Sequence, residues 1–194
     1  MKIFRLFLAF VITSLPVFAI GTAGNNAKYE SRFAIDFPTA GLLKMNHYSA
    51  YLGYQANNSL LLEVLIAPLD WLNCGLSYSG TNLVGSDEPI FQGLPGISIK
   101  SRIFDERKNT PAIALGFSNQ QKGSYIEQSD RFEQFSPGFY LALSKNFKWD
   151  IGQLAVHSGI NYSIEPKPEN QNINYWIGLE QSLSKNIALN LEFI

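Results

Sequence analysis

Residues 154–162 read Leu154-Ala155-Val156-His157-Ser158-Gly159-Ile160-Asn161-Tyr162, and their order decides the fold. Leu154, Val156, Ile160 and Tyr162 fall on one parity, Ala155, His157, Gly159 and Asn161 on the other. Successive side chains of a β-strand point to opposite sides of the sheet, so this stretch has one oily face and one small, polar face. A helical period of 3.6 would mix the two sets around the axis.

The same pattern extends in both directions. It predicts strands over 48–56, 59–67, 71–79, 96–104, 111–118, 138–146, 152–163, 174–183 and 187–194, with no competing amphipathic helix. The oily row continues through Leu62, Val64 and Ile66, then Leu76 and Tyr78, Ile97 and Ile99, Leu115 and Phe117, Phe139 and Leu141, Ile177 and Leu179, and Leu189 and Leu191. The other row holds Asn73, Gly75, Ser77, Ala112, Ala114, Gly116, Gly178 and Ser182, where a water-facing sheet would carry long charged side chains. Turns after the second, fourth, sixth and eighth strands are short, at 68–70, 105–109, 147–150 and 184–186, whereas the connections at 80–95, 119–137 and 165–173 are long and polar. Only the first hairpin, at Asn57-Asn58, departs from that asymmetry.

Short turns at one end and long loops at the other, with aromatic residues near strand ends, are the pattern of an outer-membrane barrel. Tyr48, Tyr54, Trp71, Tyr78, Phe117, Phe139, Phe147, Trp149, Tyr162, Tyr175 and Trp176 are read as its interfacial girdles. The expected fold is all-β: an antiparallel up-and-down transmembrane β-barrel with about 9–10 strands and a narrow, filled lumen. A soluble two-sheet sandwich would also alternate, and it would bury the oily row between its sheets. Nine strands would finish the chain on the outer side of the membrane, so the sequence reads as truncated. Counting 33–37 as a strand mends the number but moves the long loops to the periplasm.

Residues 1–19 have the form of a secretory signal, with Lys2 and Arg5 ahead of an apolar run from Leu6 to Leu15 and small residues before a cleavage point after Ala19; Ala23 is a second choice. About 175 residues then remain, divided into a lead-in over 20–47 and a barrel over 48–194. Pro38 and Gly41 interrupt any regular ladder in the lead-in, which is therefore expected to lie against or inside the barrel. A net charge of -1 with 16% charged residues gives no basic surface for nucleic acid. Cys74 is the single cysteine, so no internal disulfide forms, and no apolar run reaches the length of a spanning helix.

Six ionisable residues fall on the lumen-facing parity: Glu63, Lys100, Arg102, His157, Glu180 and Glu192. They read as an internal salt-bridge network plugging a narrow barrel, or alternatively as a lining that selects a solute. His157 and Ser158 are adjacent and so face opposite sides, which rules out a dyad between them. Ser77, Ser98 or Ser144 could approach His157 across the lumen and give a lipid hydrolase its nucleophile. Metal-ligand spacing and a phosphate-binding glycine loop are both absent from the sequence, and no cofactor is expected.

Three stretches carry a resemblance: Phe37-Pro38-Thr39-Ala40-Gly41-Leu42-Leu43; Leu69-Asp70-Trp71-Leu72-Asn73-Cys74-Gly75-Leu76-Ser77-Tyr78-Ser79-Gly80-Thr81-Asn82; and Pro95-Gly96-Ile97. Gly138-Phe139-Tyr140, Ser144-Lys145-Asn146-Phe147 and His157-Ser158-Gly159-Ile160-Asn161-Tyr162-Ser163 extend it over most of the mature chain. In these motifs the sequence resembles the YjbH-type outer-membrane barrels associated with exopolysaccharide production. The resemblance implies an outer-membrane location, lipid as surroundings, and polysaccharide or export machinery as partner. It brings no catalytic residues, and it implies members longer than this chain. The expected function is accessory to surface polysaccharide export or envelope assembly, without enzymatic activity. A secreted carbohydrate-binding sandwich and an outer-membrane lipid hydrolase are the alternatives.

Overall fold

The computed structural model describes residues 30–55, 58–83, 88–126, 131–135, 137–149, 152–164, 173–182 and 187–193. The signal segment 1–19, residues 20–29, the centre of the first hairpin, the 184–186 turn and most of the 165–173 loop lie outside them.

The described residues form twelve strands and no helix: β1 (Tyr48–Gln55), β2 (Ser59–Leu69), β3 (Leu72–Thr81), β4 (Ile90–Phe91), β5 (Gly96–Phe104), β6 (Ala112–Ser118), β7 (Gln121–Ile126), β8 (Arg131–Phe135), β9 (Gly138–Trp149), β10 (Gly152–Ser163), β11 (Ile173–Ser182) and β12 (Ala188–Phe193). All nine expected strands are present. Ten of the twelve make one antiparallel sheet, a meander in the order β1-β2-β3-β5-β6-β9-β10-β11-β12 with β4 added beside β3. The hairpin β7-β8 pairs only with itself and leans on β2 and β3.

Two features differ from expectation, the content of the long connections and the closure of the sheet. The connections at 80–95 and 119–137 contain β4 and the β7-β8 hairpin, which short, polar sequences such as Gln121–Ile126 do not advertise by alternation. Residues 33–37 do not enter the sheet; Phe33 makes one isolated bridge to Pro38. The sheet is also not closed into a barrel: β1 and β12 are its two edges, and in a nine-strand meander they run in the same direction.

The two faces sort as the parity requires. None of the described residues in the oily row is buried, and Leu76, Ile160 and Phe193 are each at least half exposed. On the opposite face Asn73, Ser77, Ala112, Ala114, Ala155, His157 and Glu180 are buried, joined by Leu61 and Leu65. The residues that a sandwich would press between two sheets are therefore the open ones. Register keeps the rows aligned from strand to strand, with Leu76 between Val64 and Ile97, and Ile160 between Leu141 and Tyr175.

Glycines in the inner row make room for large rings from neighbouring strands. A Cβ on Gly116 would strike the Tyr140 ring, and one on Gly159 would strike Trp176. Trp176 is consequently buried against the inner face, stacked on Phe37 with ring centroids 5.2 Å apart, and is not part of an interfacial girdle. Tyr48, Tyr54, Trp71, Tyr78, Phe139, Phe147, Tyr162 and Tyr175 are exposed and Phe117 is partly so, whereas the Trp149 side chain lies outside the described set.

Candidate functional site

The inner face is covered by residues 30–43 of the lead-in. Their shape comes from a tight loop: Ala34 N–H donates to the Phe37 carbonyl at 3.0 Å, and Thr39 N–H donates to the Arg32 carbonyl at 3.0 Å. The Thr39 hydroxyl closes the base of the loop by donating to the Ser31 carbonyl. Gly41 faces the same carbonyl so closely that a Cβ would overlap it, which makes glycine a requirement of the approach. Pro38 has no N–H to leave unpaired beneath the sheet.

Charged side chains of the sheet hold this loop by its backbone. Lys100 on β5 donates to the carbonyls of Arg32, Thr39 and Gly41 at 3.0, 3.1 and 3.1 Å. Glu192 on β12 accepts from the N–H groups of Ile35, Asp36 and Phe37 at 3.1, 3.1 and 3.0 Å. Three successive N–H groups converging on one carboxylate form an anion-binding nest. Arg102 Nε donates to the Ala40 carbonyl at 3.2 Å, and its guanidinium pairs with both oxygens of Glu30 and, at 3.4 Å, with Asp105. Asn190 donates to the Ala34 carbonyl at 2.9 Å. Charge-assisted bonds of this kind are each worth about 1.5–3 kcal/mol net, more than ordinary neutral ones.

A second group lies on three adjacent strands. Ser144 on β9 and His157 on β10 are register partners, and Ser144 Oγ and His157 Nδ1 share a hydrogen bond of 2.8 Å. His157 Nε2 lies 3.8 Å from Glu180 Oε2 on β11. Ala40 N–H donates to Ser144 Oγ at 2.9 Å, so the serine oxygen is engaged by the lead-in as well as by His157. All three side chains are buried, at 0%, 0% and 2% exposure. A serine, an imidazole and a carboxylate in line are the elements of a nucleophilic relay, here sealed under the lead-in.

The six ionisable residues expected on this face are all on it, and they divide between the lead-in and one another. Lys100, Arg102 and Glu192 spend their hydrogen bonds on the lead-in; His157 and Glu180 face each other; and buried Glu63 lies within electrostatic reach of Lys100 and Tyr140. Besides these pairings within the sheet, the face therefore carries a second set of contacts between sheet and lead-in. Ser144 reaches His157 from the neighbouring strand and not across a lumen. A turn at 147–150 would set His157 opposite Tyr140; β9 instead runs to Trp149, and the tighter hairpin moves the register by four residues. Glu30, Phe37 and Asn190 carried no sequence signal for their roles, because each acts across more than 70 residues of chain. Among the described residues no group of three His, Cys, Asp or Glu side chains is placed to hold a metal.

Comparisons with known proteins add no relative: no family model matches the chain, and neither curated proteins nor solved structures give a significant match.

Proposed function

We propose that this chain forms the wall of an outer-membrane β-barrel whose interior is stoppered by its own lead-in, and that it serves export or assembly of a surface polysaccharide as an accessory without enzymatic activity. The observation that carries the membrane reading is the sorting of side chains: no described residue of the oily row is buried in the ten-stranded sheet, while Lys100, His157 and Glu180 are buried on the other side. Apolar area left in water forgoes about 25 cal/mol per Å², so a face of Leu, Ile and Phe this extensive calls for a hydrocarbon partner. In hydrocarbon the open edges would also be costly, and closure of the β1 and β12 edges belongs to the same proposal. The polysaccharide role rests on the resemblance to YjbH-type barrels alone.

Fractionation tests the membrane reading. The protein is expected to sediment with outer membranes and to stay there through a carbonate wash. Release into the wash would replace the barrel by a secreted soluble module.

The line of Ser144, His157 and Glu180 supports a second reading, hydrolysis of a membrane lipid. It ranks second because the serine oxygen is covered and already accepts a hydrogen bond from Ala40. Lipid hydrolysis by the purified protein that disappears in His157→Ala would reverse that order.

A further inference from the structure

Nine backbone groups of residues 32–41 are held by side chains of the sheet: the carbonyls of Arg32, Ala34, Thr39, Ala40 and Gly41, and the N–H groups of Ile35, Asp36, Phe37 and Ala40. Recognition through the main chain, with a few pockets for side chains, is how proteins bind peptide segments. The pockets here are two. Phe37 stacks on Trp176, and Ala40 fills a slot floored by Ala112 and Ala114. Ahead of these anchors the segment shows its other side: Ile35 is 56% exposed although its N–H is clamped by Glu192.

The segment enters the sheet through an exposed link. Lys44, Met45, Asn46 and His47 are all exposed, and Asn46 adopts a left-handed turn at φ 63 that redirects the chain into β1. No strand pairing ties residues 30–43 to the sheet. What joins the two is the covalent link and the side-chain clamps.

We infer that the inner face is a peptide-binding site and that residues 30–43 are its tethered ligand, exchangeable for a free peptide with an aromatic residue followed, three and four positions later, by alanine and glycine. This inference does not depend on the membrane reading, since it concerns the face opposite the oily row and can be tested in detergent.

The test uses the full chain with a protease site inserted between Lys44 and Met45, an exposed turn of the kind that tolerates insertion. After cleavage the freed fragment is expected to remain bound through gel filtration. It should then exchange with an excess of fluorescent synthetic peptide of residues 30–43. An Ala40→Leu peptide is expected to bind at least about 10-fold more weakly, because the slot has no room for the added carbons. A peptide N-methylated at Asp36 should lose a similar factor of about 10, since it gives up one bond to Glu192. Ile35→Ala, which alters only an exposed side chain, should leave binding unchanged.

These variants sit in the peptide, so none can impair folding of the sheet. Two results would overturn the inference. In one, the fragment leaves only on denaturation and no labelled peptide enters, which makes the segment an integral part of the core. In the other, the fragment leaves on cleavage and the labelled peptide does not bind. Equal binding of the Ala40→Leu peptide would overturn the assigned motif.

Discussion

The outer and inner faces of the same strands obey opposite rules. On β10, His157 is fully buried and engaged by Ser144, while its neighbour Ser158 sits among Leu143 and Ile177 on the open side. The outer face is apolar from strand to strand, and the ring contacts it makes, Tyr78 on Phe91 and Phe117 against Phe139, join neighbouring residues of that same face. The inner face is fitted: glycines lie under rings, an alanine slot receives Ala40, and ammonium, guanidinium and carboxylate groups each meet a particular piece of backbone. Inner positions should therefore be sensitive to shape, and outer positions only to polarity.

The strongest contrast is expected at Trp176. Trp176→Ala removes the largest fully buried side chain among the described residues and its stack on Phe37, and should destabilise the protein by about 3–5 kcal/mol in denaturant titrations in detergent. An outer aromatic such as Tyr175, changed to Leu, should move the midpoint little; equal sensitivity of the two would erase the distinction between the faces.

Next comes charge. Ile99→Arg on the outer face should cost about 2–4 kcal/mol when unfolding is followed in lipid bilayers, where an arginine near the midplane meets hydrocarbon. The same change in a chain whose outer face met water would be nearly neutral. A smaller effect is expected for Glu192→Gln, which keeps the shape and discards the charge from the nest at residues 35–37. A loss of about 1–2 kcal/mol is predicted, together with faster proteolysis at the 44–47 link. The smallest is Ser158→Ala, within about 0.5 kcal/mol of the parent, where His157→Ala should cost about 1–3 kcal/mol by leaving Ser144 and Glu180 without their partner.

How much of this could be read from sequence follows from which interactions are local. Alternation is a property of neighbouring residues, so Leu154 to Tyr162 disclosed their strand and their two faces, and the same test found all nine strands of the meander. Parity also put Glu63, Lys100, Arg102, His157, Glu180 and Glu192 on the inner face. It could not say what they touch. The partners of Lys100 are carbonyls some 60 residues away, and a backbone carbonyl has no signature in sequence. Ser144 opposite His157 was hidden by the length of one turn, because register is set by the hairpin and a shift of four residues changes every partner while keeping each side chain on its face. Trp176 was misread for a different reason. Its type suits an interface, and only Gly159 beside it and Phe37 far upstream create the space that buries it.

Cys74 offers the most direct measurement, because the only cysteine of the chain lies on the oily face between Ile66 and Ile99. In bilayer nanodiscs it should resist a charged, water-soluble maleimide and react with a lipid-soluble one, while a Cys74→Ser, Lys108→Cys variant on the exposed 105–111 turn reacts readily with the charged reagent. Equal labelling of both positions by the charged reagent would mean that water, and not hydrocarbon, covers the Leu, Ile and Phe row.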